Sequence, residues 1–129
     1  MKLRVLTVVL ATVVGVALAS EDAPPEHQKW MKDLGNQQGA MRKGIDVEKN
    51  AKDMQETLKL VSVWWENRKL DDAVKSTNDS AAGAEQVAKA AQGGDAAGIG
   101  AGMKMISAGC KSCHDAHREK ISDTVYKIK

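Results

Sequence analysis

The chain has 129 residues, 28% of them charged and 43% hydrophobic, with a formal net charge of +2. That length allows one domain with a modest core, and interspersed charge of both signs excludes the basic stripe that nucleic acid would require. Aromatic side chains are confined to Trp30, Trp64, Trp65 and Tyr126, and phenylalanine is absent, so the side chains alone give a thin apolar centre.

Residues Met1–Ala19 begin with Lys2 and Arg4, continue through an apolar run from Val5 and finish in Ala17-Leu18-Ala19. This is the pattern of a secretory signal peptide with a small-residue cleavage site, and the run is shorter than the ~20 residues a spanning helix needs. The expected product is a periplasmic chain starting at Ser20, a single domain over residues 20–129 with no membrane span after cleavage. Removing Lys2 and Arg4 from 19 basic residues leaves 17 against 17 acidic ones, so the mature chain is formally neutral.

Pro24-Pro25 followed by Glu26 marks a helix start, with proline in the first turn and an acid at the positive end of the helix dipole. The first helix is expected from about Pro25 to Lys43, closed by Gly44. Asp46 then caps a second, in which Ala51, Met54, Leu58, Val61 and Trp65 recur at three- and four-residue steps. A polar connection, Glu66-Asn67-Arg68-Lys69, leads to a third helical face marked by Leu70, Val74, Thr77, Ala81, Ala84, Ala88 and Ala91, which Gly93-Gly94 ends. Asp95 caps the last helix, whose Ile99, Met103, Ile106, Cys110, Cys113 and His117 follow the spacing of a bundle seam. Gly98, Gly100 and Gly102 inside it imply either close backbone approach or a late, irregular start. No stretch shows the alternation of a strand. The expected fold is all-α, an antiparallel up-down-up-down four-helix bundle.

Cys110-Lys111-Ser112-Cys113-His114 uses both cysteines and follows the second with a histidine, which reads as a covalent haem attachment site. Two thiols can add across the two haem vinyl groups while the adjacent imidazole ligates the iron. On a helix the three side chains lie towards one side, since Cys113 and His114 follow Cys110 by three and four residues. A redox Cys-x-x-Cys pair, half a zinc site or a disulfide fits less well. The first wants a preceding strand and the second wants four ligands, whereas a secreted disulfide competes with thioether formation for the same thiols.

A haem motif near the end of a four-helix chain resembles the class II c-type cytochromes, the cytochrome c-prime group and its low-spin, Met-ligated relatives. Two segments carry the resemblance: Cys110 to Arg118, with its basic residue four after the haem histidine, and Gln28-Lys29-Trp30-Met31-Lys32-Asp33-Leu34-Gly35 on the first helix. The resemblance implies one covalent haem c held by Cys110 and Cys113, with His114 as proximal iron ligand and Met31 as distal ligand. It also implies an electron carrier rather than an enzyme, redox partner proteins and a possible homodimer through the first two helices. A thioether ligand favours ferrous iron relative to a second imidazole. The alternative is a five-coordinate cytochrome c-prime-like protein binding nitric oxide or carbon monoxide.

The other candidates have plainer expectations. Met41, Met54, Met103 and Met105 are read as core. Met41 lies about 15 Å along the helix from Met31, so only one of the two can sit over iron. His27 shares the Met31 face and is the runner-up ligand, though its place at a helix start suggests an exposed histidine. His117 is expected to be half-exposed without an iron role. Arg118 is read as lying over the His114 imidazole, meeting a haem propionate, or simply solvated. Only Trp65 of the Trp64-Trp65 pair should point inwards, and Trp30 could cover the distal side.

Overall fold

The protein is described by a computed structural model over residues 20–129, and the expected signal peptide lies outside those residues. Four helices follow one another: α1 (Pro25–Arg42), α2 (Val47–Asn67), α3 (Asp71–Gln92) and α4 (Ala96–His117). Each of the three connections closes its helix in the same way. A left-handed residue, Gly44, Lys69 or Gly94, turns the chain, and the next amide returns to a carbonyl five residues back: Ile45 to Ala40, Leu70 to Trp65 and Asp95 to Ala90. This satisfies carbonyls that a helix end leaves open and keeps the turns short enough to force antiparallel neighbours. At the other ends the caps differ. Asp95 accepts from the Gly98 amide at 2.9 Å as expected. Asp46 makes no side-chain cap, because its own backbone is left-handed (φ 41°) and aims the carboxylate elsewhere.

The order of contact is α1 on α2, α2 on α3 and α3 on α4. The α3–α4 seam is the tightest. Its partners run in opposite senses along the two helices, with Gln86 bonded to Gly98, Ser80 to Ile106 and Ser76 to Ser112. A Cβ added at Gly83 would stand 2.8 Å from the Gly102 carbonyl oxygen and 2.8 Å from the Ile106 amide nitrogen. The glycines of α4 therefore divide: Gly102 serves close backbone approach, Gly100 faces open space, and the helix starts on time at Ala96. The apolar stripe expected of α3 is buried only in part. Thr77, Ala84 and Ala88 are buried as expected, Leu70, Val74, Ala81 and Ala91 are only half-buried, and Ala73, Ser76, Ser80, Gly83 and Val87 are buried beside them. Where backbones approach this closely, small residues fill the seam better than large apolar ones.

The main core is built by Leu34, Met41, Met54, Leu58, Val61, Trp65, Val87 and Ile106. Met105, expected there, is 39% exposed. Against expectation, there is also a small antiparallel sheet. Strands β1 (Glu21–Asp22), β2 (Arg118–Lys120) and β3 (Tyr126–Ile128) pair in the order β1-β3-β2. It joins the two ends of the domain, Glu21 opposite Ile128. Segments of two or three residues carry no readable period, so pairing between chain ends leaves no local signal.

Candidate haem-binding site

Between α1 and α4 the bundle is open. A cavity of about 890 Å³ lies there, lined by Met31 on α1, by Cys110, Cys113 and His114 on α4, and by Leu58, Val61 and Trp65 on α2. Its volume is that of a site for a large organic cofactor. The tight α3–α4 seam explains why the opening is on this side, since α4 spends its small-residue face on α3 and turns Cys113 and His114 towards the cavity, which Cys110 lines at the margin of the seam beside Ser80.

The register across the cavity follows from one bond. Gln38 Nε2 donates to Ser107 Oγ at 3.1 Å. Seven residues back along α1 and seven forward along α4 are each about 10 Å on antiparallel axes, so Met31 and His114 stand at about the same level. The cavity-lining positions agree, stepping through His27, Met31 and Gln38 on one side and Arg118, His114 and Cys110 on the other.

Electrostatics suit the same chemistry. Burial, then the Arg118 charge, hold the His114 imidazole below its ordinary pKa, which keeps it in the neutral, metal-ligating form. Burial also raises both thiols, Cys113 to about 11 with help from Cys110 and Asp72. A redox pair needs a lowered thiol pKa, and these move the opposite way. The two cysteines are free, and Cys110 Sγ lies 3.8 Å from Ser80 Oγ.

The structure departs from expectation at His27. It is 3% exposed, enclosed by Trp64 at 4.6 Å and Trp65 at 6.0 Å between ring centroids, and its Nδ1 is 2.8 Å from Tyr126 Oη. The strand β3 folds back over the start of α1, so a position that would be open in an isolated helix is sealed. Sequence reasoning gave Tyr126 no role; its being the one tyrosine of the chain, beside the apolar Ile128, was the available hint. His117 also lines the cavity, but both ring nitrogens are engaged, with Asp72 Oδ2 at 2.7 Å and the Lys129 carbonyl at 3.0 Å. Arg118 lies over the Tyr126 ring, 5.5 Å from its centroid. Trp65 points inwards and Trp64 is half-buried beneath the Arg68 guanidinium. Trp30 packs on the core and beside His27.

Three buried nitrogens around this cavity, His27 Nε2, Trp65 Nε1 and Arg118 Nε, have no hydrogen-bond partner. Each such group costs about 1–3 kcal/mol if left so. Apolar walls, two thiols, a neutral imidazole and unpartnered nitrogens together fit a large flat cofactor with a polar edge.

The cytochrome C' family model matches residues 47–118, from the start of α2 to the residue after α4. No curated protein and no solved structure matches the chain. The matched span holds Cys110, Cys113 and His114 and begins after α1, outside Met31. The four-helix architecture is that of the family, whose members carry covalent haem c, typically one per chain. The chain is a c-type cytochrome and belongs to the cytochrome C' family.

Proposed function

We propose that this cytochrome carries single electrons, with haem thioether-bound to Cys110 and Cys113 and its iron ligated by His114 and Met31. The haem supplies a one-electron iron couple; the chain supplies its attachment, its ligands and a dry enclosure. The observation that carries the reading is the shared level of His114 and Met31 on opposite walls of one cavity. Supporting it, the Met31 thioether is half-buried against the core, and a soft sulfur ligand favours the ferrous state. With two ligands held by two helices, little rearrangement accompanies electron gain or loss, which suits transfer to a partner protein rather than catalysis on the iron.

The test is the visible spectrum of the mature holoprotein. Met-ligated iron gives a low-spin ferric species with a thioether-to-iron band at the red end, and Met31→Ala abolishes that band. A high-spin ferric spectrum that the substitution leaves unchanged refutes the ligation and transfers the protein to the five-coordinate, gas-binding alternative.

The site of action is the periplasm, on the strength of the leader at residues 1–19. Among the described residues no helix is long and apolar enough to cross a membrane. A homodimer through α1 and α2 is supported by Leu60 and Val63, each 52% exposed on α2.

A further inference from the structure

The iron chemistry leaves one end of the cavity unused. His27 Nε2, Trp65 Nε1 and Arg118 Nε are buried there without partners, and all three residues line the cavity. Trp65 is 2% exposed, its ring nearly perpendicular to that of His27. Tyr126 links the other two, with its hydroxyl on His27 Nδ1 and its ring against the Arg118 guanidinium. Burial, then the charge of Arg68, hold His27 at about 4, so its imidazole is neutral at neutral pH. Trp65 Nε1 and Arg118 Nε are N–H donors in any state, and a Tyr126 hydroxyl that donates to Nδ1 sets the imidazole hydrogen on Nε2. All three orphan atoms are then N–H donors, and the corner lacks an acceptor.

The cofactor's own asymmetry says where an acceptor would come from. In haem the vinyl groups that form thioethers lie on one edge of the ring and the two propionates on the opposite edge. Cys110 precedes His114 by four residues, about 6 Å along α4, and Arg118 follows it by four, just past the end of the helix at the start of β2. His27 precedes Met31 by four residues on the facing helix, towards the same end as Arg118. Turning the vinyl edge to Cys110 turns the carboxylate edge to His27 and Arg118.

We infer that His27, Trp65 and Arg118 form a carboxylate subsite that draws one haem propionate inside the protein, with Tyr126 as the positioning residue that fixes the His27 tautomer. The inference rests on the haem reading above and adds which atoms orient the ring. Donors at this corner offset the carboxylate charge near the iron. Removing them leaves more negative charge there and favours ferric iron.

The holoprotein is produced with haem labelled with carbon-13 at the propionate carboxyls, supplied as labelled 5-aminolevulinate, and its haem attachment is verified by mass. Redox-difference infrared spectra should show two isotope-sensitive carboxylate bands in the wild type, one at the frequency of a solvated carboxylate and one displaced. Arg118→Leu and Trp65→Phe return the displaced band to the solvated position, and Tyr126→Phe moves it part of the way. In Arg118→Leu the reduction equilibrium shifts towards ferric by up to about tenfold, or about 59 mV for one electron. Two solvated bands in the wild type overturn the inference without any variant, and so does a displaced band that survives every substitution. Wild-type polypeptide lacking attached haem would instead overturn the haem reading itself.

Discussion

Two glycines on α4, two residues apart, should respond to alanine with opposite signs. At Gly100 a Cβ meets nothing within 4 Å, so Gly100→Ala gains only the helix propensity difference, about 1 kcal/mol. At Gly102 the same Cβ would stand 2.6 Å from Val87 Cγ2, 2.7 Å from the Gly83 carbonyl oxygen and 3.0 Å from the Val87 amide nitrogen. Comfortable contact begins near 3.5 Å, so α3 and α4 must part by roughly 0.5–1 Å, which forfeits a quarter to a half of each contact along the seam. Overpacking costs about 1–3 kcal/mol, and backbone atoms on the receiving side put this case near 3. Subtracting the propensity gain leaves a net loss of about 2 kcal/mol. Thermal unfolding of the haem-bearing protein, followed by far-ultraviolet circular dichroism, should place Gly102→Ala about 8 °C below wild type and Gly100→Ala up to about 4 °C above it. Gly83 faces Gly102, so adding Gly83→Ala to Gly102→Ala should cost less than it does alone. A Gly102→Ala protein as stable as wild type, or both single variants moving the same way, would refute the close-seam argument.

Three further outcomes follow from particular residues. Lys69 holds a left-handed backbone (φ 56°) between α2 and α3, so Lys69→Gly should raise stability by about 0.5–1 kcal/mol, read as an increased urea midpoint; a decrease would contradict it. His27 is depressed from 6.5 to about 4 when folded, so the unfolded chain binds its proton first as pH falls. The stability held above pH 6.5 should be lost progressively from there down to about pH 4, by about 3 kcal/mol. His27→Gln should lose less than wild type over that window in urea titrations, and equal slopes would deny the burial. Sedimentation should find that Leu60→Asp converts a wild-type dimer to monomer, while a monomeric wild type would rule out pairing through α2 under those conditions.

The four helices and the connections between them could be read directly because local chemistry announces them: a proline pair, two Gly-containing stops, a capping Asp95, and apolar steps of three and four. The Cys110-Lys111-Ser112-Cys113-His114 run was equally plain, since Cys110, Cys113 and His114 need only one helical turn to line one cavity. Met31 entered through likeness to the Met-ligated cytochromes, and nothing in its own surroundings in the chain sets it apart from Met41.

What the chain alone determined, then, was everything carried by neighbours within about one helical turn. What needed the tertiary structure was every relation between distant segments: the level pairing of Met31 with His114 across α1 and α4, the choice of Gly83 and Gly102 rather than Gly100 for the close seam, and the enclosure of His27. The last runs against local expectation because a helix start is exposed unless another part of the chain covers it. Here the cover is Tyr126, ninety-nine residues away, on a strand too short to declare itself. Contacts of that separation depend on the whole bundle bringing its ends together, and no local pattern of side chains records them.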